Sequence, residues 1–352
     1  MTTTNDIKTV LVTGNLGYIG TVLTPILSDL GYTVHGLDTE FYDETCQLYP
    51  FASGVDKQVR KDVRDVEPAD FEGVDAVIHL ASLSNDPLGE FDPSITEAIN
   101  YTATMRVADC ARTAGASRFV YASSQSMYGV SDTSVELDED DSEKNPVTAY
   151  AKTKWRAECE LRDMVDDRFL TTFFRPSTVF GASPRLRCDI VFNNLVACAH
   201  TTNRVEIMSD GTPWRPVIHI RDVCSAFISG LTAPRETVAG RAFNVGIENG
   251  NFTVRDLAEA AQRAVPGSDL VFTGEHVDSR TYRVGFNRIL TELKGHFMPE
   301  WGLDRGGQEL VELFKRVSLT EEDFRGEKCI RLMRLKNLIS QGQLDSNLRW
   351  KE

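Results

Sequence analysis

Thr9-Val10-Leu11-Val12-Thr13-Gly14-Asn15-Leu16-Gly17-Tyr18-Ile19-Gly20 is the stretch that decides how this chain folds. An apolar, β-branched run ends in three glycines spaced i, i+3 and i+6. Ile19, Val22, Leu23, Ile26, Leu27 and Leu30 then fall on one helical stripe. The reading is strand, tight turn, helix. A turn of this kind brings backbone N–H groups and a helix N-terminus against a pyrophosphate. Its glycines remove the Cβ atoms that would block the turn, the ligand or the helix–strand packing.

Working outward, Gly31 closes that helix, and Tyr32 to Leu37 reads as a second strand ending on Asp38. An acid at that point accepts the two hydroxyls of an adenosine ribose and repels a 2′-phosphate, which favours NAD over NADP. Asp56 to Val63 leads into a third strand that ends near Lys61-Asp62-Val63. Gly73 to Ala81 is a fourth, ending in small residues that let a ligand lie across the sheet, with His79 as a packing residue. Ser84 begins a loop, and Asp92 to Ala114 reads as one long helix carrying Asn100. Ser117 to Ser124 is a fifth strand that turns polar at its carboxyl end, where an open α/β sheet presents chemistry. Glu136 to Glu143 is acidic and reads as a solvated loop.

Tyr150 and Lys154 open the next helix four residues apart, so they share a face. A lysine ammonium beside a phenol stabilises the phenolate, which can then exchange a proton with a substrate hydroxyl. Ser124 ends the strand that faces them. Thr171 to Pro176 is a sixth strand, and the alternation loosens from about Pro184. The fold expected is a Rossmann-like, doubly wound parallel α/β sheet with a smaller C-terminal substrate-binding lobe. The divisions are 1–181 for the dinucleotide-binding part, 182–317 mainly for the lobe with some segments returning to the sheet, and 318–352 for a helical extension. Cys329 to Ile339 in that extension suits an amphipathic helix that packs on the body or at a subunit interface.

The bulk properties agree. A chain of 352 residues is long enough for two lobes, and its net charge of −14, with 52 acids against 38 bases, disfavours nucleic-acid binding. Seven dispersed cysteines without a C-x-x-C pair read as reduced thiols rather than disulfides or a metal site. No apolar h-region opens the chain and no run approaches the ~20 residues of a membrane span, so a cytoplasmic protein is expected.

Taken together, these motifs resemble the extended short-chain dehydrogenase/reductase family in its nucleotide-sugar epimerase/dehydratase branch, over roughly residues 9–317. The resemblance rests on Gly14-x-x-Gly17-x-x-Gly20, Asp38, Asp62-Val63, His79-Leu80-Ala81, Ser123 to Gly129, Tyr150-x-x-x-Lys154, Arg175-Pro176-x-x-Val179-Phe180-Gly181, Trp214 to Val223 and Phe243 to Gly246. It implies that NAD is held by Gly14, Gly17, Tyr18, Ile19, Gly20, Asp38, Asp62, Val63, Leu80, Ala81, Tyr150, Lys154, Pro176 and Val179. It makes Tyr150 the acid/base, Lys154 its partner and Ser124 a hydrogen-bond donor to the same substrate oxygen. Ser84, Gln125, Ser126, Asn194, Arg215 and Arg280 are implied at the nucleoside-diphosphate sugar, and a homodimer is typical of the branch.

The chain departs from two chemistries of that branch. Sugar-nucleotide 4,6-dehydratases place Asp-Glu after the serine or threonine, where this chain has Gln125-Ser126. The 3,5-epimerases place a cysteine at the Ser126 position, and a serine is a far weaker base than a thiolate. The expectation is therefore an NAD-dependent epimerase acting at C4 through a 4-keto sugar. The alternatives are a 4-keto-sugar reductase or dehydrogenase, a non-catalytic NAD-sensing regulator, and a sugar-uronate decarboxylase using Arg185 or Arg187.

Overall fold

The computed structural model of the chain describes residues 7–42, 44–84, 92–272, 274 and 281–351. Strand β1 (Thr9–Thr13) is buried from Val10 onward, as a strand covered on both faces must be, which is why its sequence runs apolar instead of alternating. It pairs in parallel with β2 (Thr33–Asp38) on one side and β4 (Ala76–His79) on the other. Beyond β2 lies β3 (Lys57–Arg60). Beyond β4 lie β5 (Arg118–Ala122), Leu170–Pro176 and Arg241–Val245, seven parallel strands in all. The strand order reverses between β1 and β4, and the carboxyl ends there open the crevice in which doubly wound sheets bind their ligands.

Helix α1 (Gly20–Asp29) buries Leu23 and Leu27 while Leu30 is left exposed. A second core forms where the helices Val191–Thr202, Val254–Ala264 and Leu303–Val317 enclose Leu195, Val205, Leu257, Leu310 and Phe314 beside the paired strands Arg204–Ile207 and Asp269–Phe272. Within the later half, Arg241–Val245 joins the edge of the main sheet. Helix Ile220–Thr232 also packs on that sheet, where a Cβ at Gly230 would stand 2.8 Å from Val120. The extension forms the expected helix, Arg331–Ser340. Its Leu335 and Leu338, with Leu344 and Leu348 after it, are buried in the same core as Phe71, Phe119 and Phe173.

Two expectations are corrected. The long helix from Asp92 is interrupted: Pro93–Glu97 and Ala103–Thr113 are α-helical, but Ala98–Thr102 widens into a π turn. That turn carries Asn100, whose amide accepts from Leu83 N at 2.8 Å and donates to Leu83 O at 3.0 Å, a side-chain demand that periodicity does not reveal. The acidic run is not simply solvated, because Glu139 is buried and accepts from Asn244 N at 2.8 Å beside Arg288. Among the described residues, no helix is long and apolar enough to cross a membrane.

Candidate active site

A cavity of about 910 Å³ lies over the carboxyl ends of the sheet and reaches the second core. Gly14, Gly17, Tyr18, Ile19 and Gly20 form part of its wall. Gly14 has φ +71, and a Cβ there would stand 2.8 Å from Ala81 N, so both its conformation and its contact with the end of β4 require glycine. A Cβ at Gly20 would stand 2.5 Å from the carbonyl oxygens of Asn15 and Gly14, which is how closely the helix start packs on the turn. Among the described residues the amides of Ile19 and Gly20 have no backbone acceptor, as the first N–H groups of a helix do not, and both residues line the cavity. Tyr18 serves a different end. Its buried hydroxyl donates to Gly181 O at 2.8 Å and accepts from Asn193 at 3.1 Å, and burial raises its pKa far above the usual range.

Asp38 sits at the end of β2 and lines the same wall. Its carboxylate accepts from Leu16 N at 3.0 Å and Glu40 N at 2.8 Å, tying the turn to the second strand. Burial raises its pKa, opposed by those two amides and the charge of Arg185. Asp62, Val63, Leu80, Ala81, Pro176 and Val179 also line the cavity. Asp62 caps the turn Val63–Asp65 and holds Arg64 through contacts of 3.0 and 2.7 Å. His79 lies beneath, between Thr13 Oγ1 at 2.7 Å and Thr104 Oγ1 at 2.9 Å. Burial lowers its pKa to about 3, which makes it a neutral packing residue.

Ser124, Tyr150 and Lys154 all line the same cavity. Thr148 caps the helix Ala149–Arg162 by accepting from Ala151 N at 3.2 Å, which sets Tyr150 in its first turn. One turn on, Lys154 is buried. Its ammonium donates to Ala122 O at 2.8 Å and stands 4.8 Å from the Tyr121 ring centroid. Desolvation lowers its pKa from 10.5 to about 7. Ser124 caps the short helix Gln125–Tyr128, accepting from Ser126 N at 3.1 Å and donating to Ser126 Oγ at 3.1 Å.

A buried pair that sequence reasoning missed fixes this wall. Glu158, one turn after Lys154, accepts from Arg175 at 2.5 and 3.1 Å and from Ser123 Oγ at 2.7 Å. Both members of the ion pair are fully buried; the pair locks the helix to the strand Leu170–Pro176, and the Ser123 bond ties it to the segment that follows β5 beside Ser124. The i, i+4 spacing from Lys154 was visible, but burial of the glutamate was not.

Of the residues expected at the sugar nucleotide, Ser84, Ser126, Asn194 and Arg215 line the cavity. Ser84 accepts from Arg187 at 2.7 Å, Asn194 donates to Cys188 O at 2.9 Å, and Arg215 donates to Trp214 O at 2.7 Å. Gln125 is a correction. It turns into the core, donating to Arg175 O at 2.9 Å and accepting from Ser177 Oγ at 3.2 Å, because a buried amide must satisfy both ends. Arg280 lies outside the described residues.

The chain belongs to the NAD dependent epimerase/dehydratase family, whose model matches residues 10–246. Its cofactor is NAD, and the cradle fits one: a turn that admits no Cβ at Gly14 or Gly20, orphan helix amides and the Asp38 carboxylate line one cavity. Among its relatives is a UDP-glucose 4-epimerase of Mycolicibacterium smegmatis, 29% identical over 326 residues, which are 88% of this chain and 99% of that protein. A UDP-glucuronic acid decarboxylase 2 of Arabidopsis thaliana is 28% identical over 315 residues, covering 87% of this chain and 68% of that one. Among solved structures, MoeE5 in complex with UDP-glucuronic acid and NAD superimposes with a TM-score of 0.74 at 26% identity, covering 88% of this chain and 99% of MoeE5.

Proposed function

We propose that this enzyme is an NAD-dependent nucleotide-sugar epimerase that inverts C4 through a 4-keto sugar. The carrying observation is the acid/base set that lines the cavity wall. Ser124, Tyr150 and Lys154 face the cavity, while Gln125, at the place where a dehydratase has an acid, turns into the core. Relatives named as UDP-glucose 4-epimerases support the reading.

Bound NAD supplies a hydride acceptor and donor. Tyr150 takes the proton of the C4 hydroxyl as the C4 hydride leaves, and Ser124 donates a hydrogen bond to the same oxygen. Lys154 stabilises the Tyr150 phenolate. Its buried ammonium has only a carbonyl and a ring face among its described partners, so a phenolate is the counterion its position lacks. Arg215 holds the diphosphate while the ketone turns, and Tyr150 then returns the proton to the inverted alkoxide. The uronate-decarboxylating alternative loses support at Arg187, whose fork is closed on Asp189 at 2.9 Å on both arms. The proposal includes a homodimer, as the resemblance implies, and a cytoplasmic setting, as the dispersed unpaired cysteines suggest.

The test is incubation of the purified enzyme with a panel of sugar nucleotides, with the product sugar identified by NMR and absorbance followed at the NADH band. Inversion at C4 without net absorbance change is expected. Stoichiometric NADH consumption with a 4-keto sugar would establish the reductase instead.

A further inference from the structure

The extension beyond residue 318 reaches the cofactor wall at two points. Arg331, the first residue of its helix, lines the cavity and is 2% exposed. Its guanidinium lies over the Tyr42 ring at 4.6 Å and donates through Nη2 to Arg185 O at 2.5 Å. Its Nη1 is buried and has no hydrogen-bond partner among the described residues. Neighbouring Arg187 differs, since its fork is closed on Asp189 and its remaining arm on Ser84. The end of the extension then closes over the loop that follows β2. Trp350 Nε1 donates to Thr39 O at 2.6 Å, its ring lies 6.0 Å from Phe41, and Arg349 approaches Asp62 at 3.4 Å.

A guanidinium arm buried without an acceptor is costly, and a phosphate oxygen is the acceptor best matched to it. Arg331 stands over Tyr42, four residues after Asp38, and donates to the carbonyl of Arg185, whose charge acts on Asp38, so it lies toward the Asp38 side of the cavity. We propose that the C-terminal extension is a clasp on the cofactor, in which Arg331 binds the dinucleotide pyrophosphate and the 344–350 turn covers the loop beside Asp38. Release of NAD then requires this clasp to lift, which suits an enzyme that keeps its cofactor through turnover. The inference rests on the assignment of the glycine-turn wall to NAD.

The test compares wild type with Arg331→Met and Arg331→Lys. NAD content after purification is measured first, followed by calorimetric titration of cofactor-depleted protein with NAD and, separately, with UDP. Arg331→Met is expected to weaken NAD binding by roughly 10- to 100-fold, the loss of one charge-assisted phosphate contact. Arg331→Lys should fall between, with UDP affinity and cofactor-free Tm near wild type. NAD affinity equal to wild type in both variants overturns the clasp, as does a loss confined to UDP, which would move Arg331 to the substrate diphosphate. Wild type that binds no NAD would instead overturn the site assignment beneath it. Should both variants fail to fold, hydrogen exchange of wild type decides. NAD is expected to slow exchange in 331–350 and 39–42, and no change there refutes the clasp.

Discussion

Replacing Lys154 by Met removes a buried ammonium from the cavity wall, and the consequence depends on pH in a direction the structure sets. Lys154 has a folded-state pKa of about 7, below the 10.5 of an unperturbed lysine, because burial disfavours its charged form. Between those values the unfolded chain binds a proton that the folded chain does not, so this group's contribution to stability rises with pH and falls as pH drops toward 7. At about 1.4 kcal/mol per pH unit, the two units between pH 7 and 9 correspond to about 3 kcal/mol. Methionine carries no such dependence. The stability of Lys154→Met relative to wild type is therefore greatest at pH 7 and shrinks by about that amount at pH 9, a relative shift on the order of 5 °C. The uncovered Ala122 carbonyl shifts the comparison by an amount that does not vary with pH. The assay is thermal unfolding of both cofactor-free proteins at half-unit intervals from pH 6.5 to 9.5. A difference in Tm that stays flat across that range would refute the reasoning.

Glu158→Gln leaves Arg175 charged and buried, and should cost about 3–5 kcal/mol, read as a lower denaturation midpoint. A midpoint equal to wild type would mean that the pair does not hold the wall. Arg215→Met should raise KM for the sugar nucleotide by about 10- to 100-fold while changing kcat much less, since a diphosphate contact acts alike in ground and transition states. An unchanged KM removes Arg215 from the substrate site. Asp38→Ala should reduce the preference for NAD over NADP by at least about tenfold in paired titrations, because the repulsion of a 2′-phosphate is lost.

The parts of this molecule legible in its sequence are those where local chemistry and spacing coincide. Thr9 to Gly20 announces itself because a buried parallel strand must be apolar, and because Gly14 and Gly20 occupy places where any Cβ collides with the backbone. Tyr150 and Lys154 were visible as a helical pair. What escaped depends on contacts between distant segments. Gln125 follows Ser124 directly, yet it bonds to Arg175 and Ser177, so adjacency misplaced it. Glu139 lies within an acidic run, and only the approach of Asn244 and Arg288 from the far end of the sheet explains its burial. Arg331 reads as one more cation in an amphipathic helix until the extension folds back over Tyr42.

The claim that hydride leaves and returns to one carbon within one active site is tested most directly by a sugar nucleotide carrying deuterium at C4. After turnover in ordinary water, the account predicts C4-inverted product that retains the deuterium, no accumulation of NADH, and loss of this turnover by about 10²–10⁴-fold in Tyr150→Phe with NAD still bound. Deuterium exchanged for solvent hydrogen at C4, or wild-type turnover in Tyr150→Phe, would contradict it.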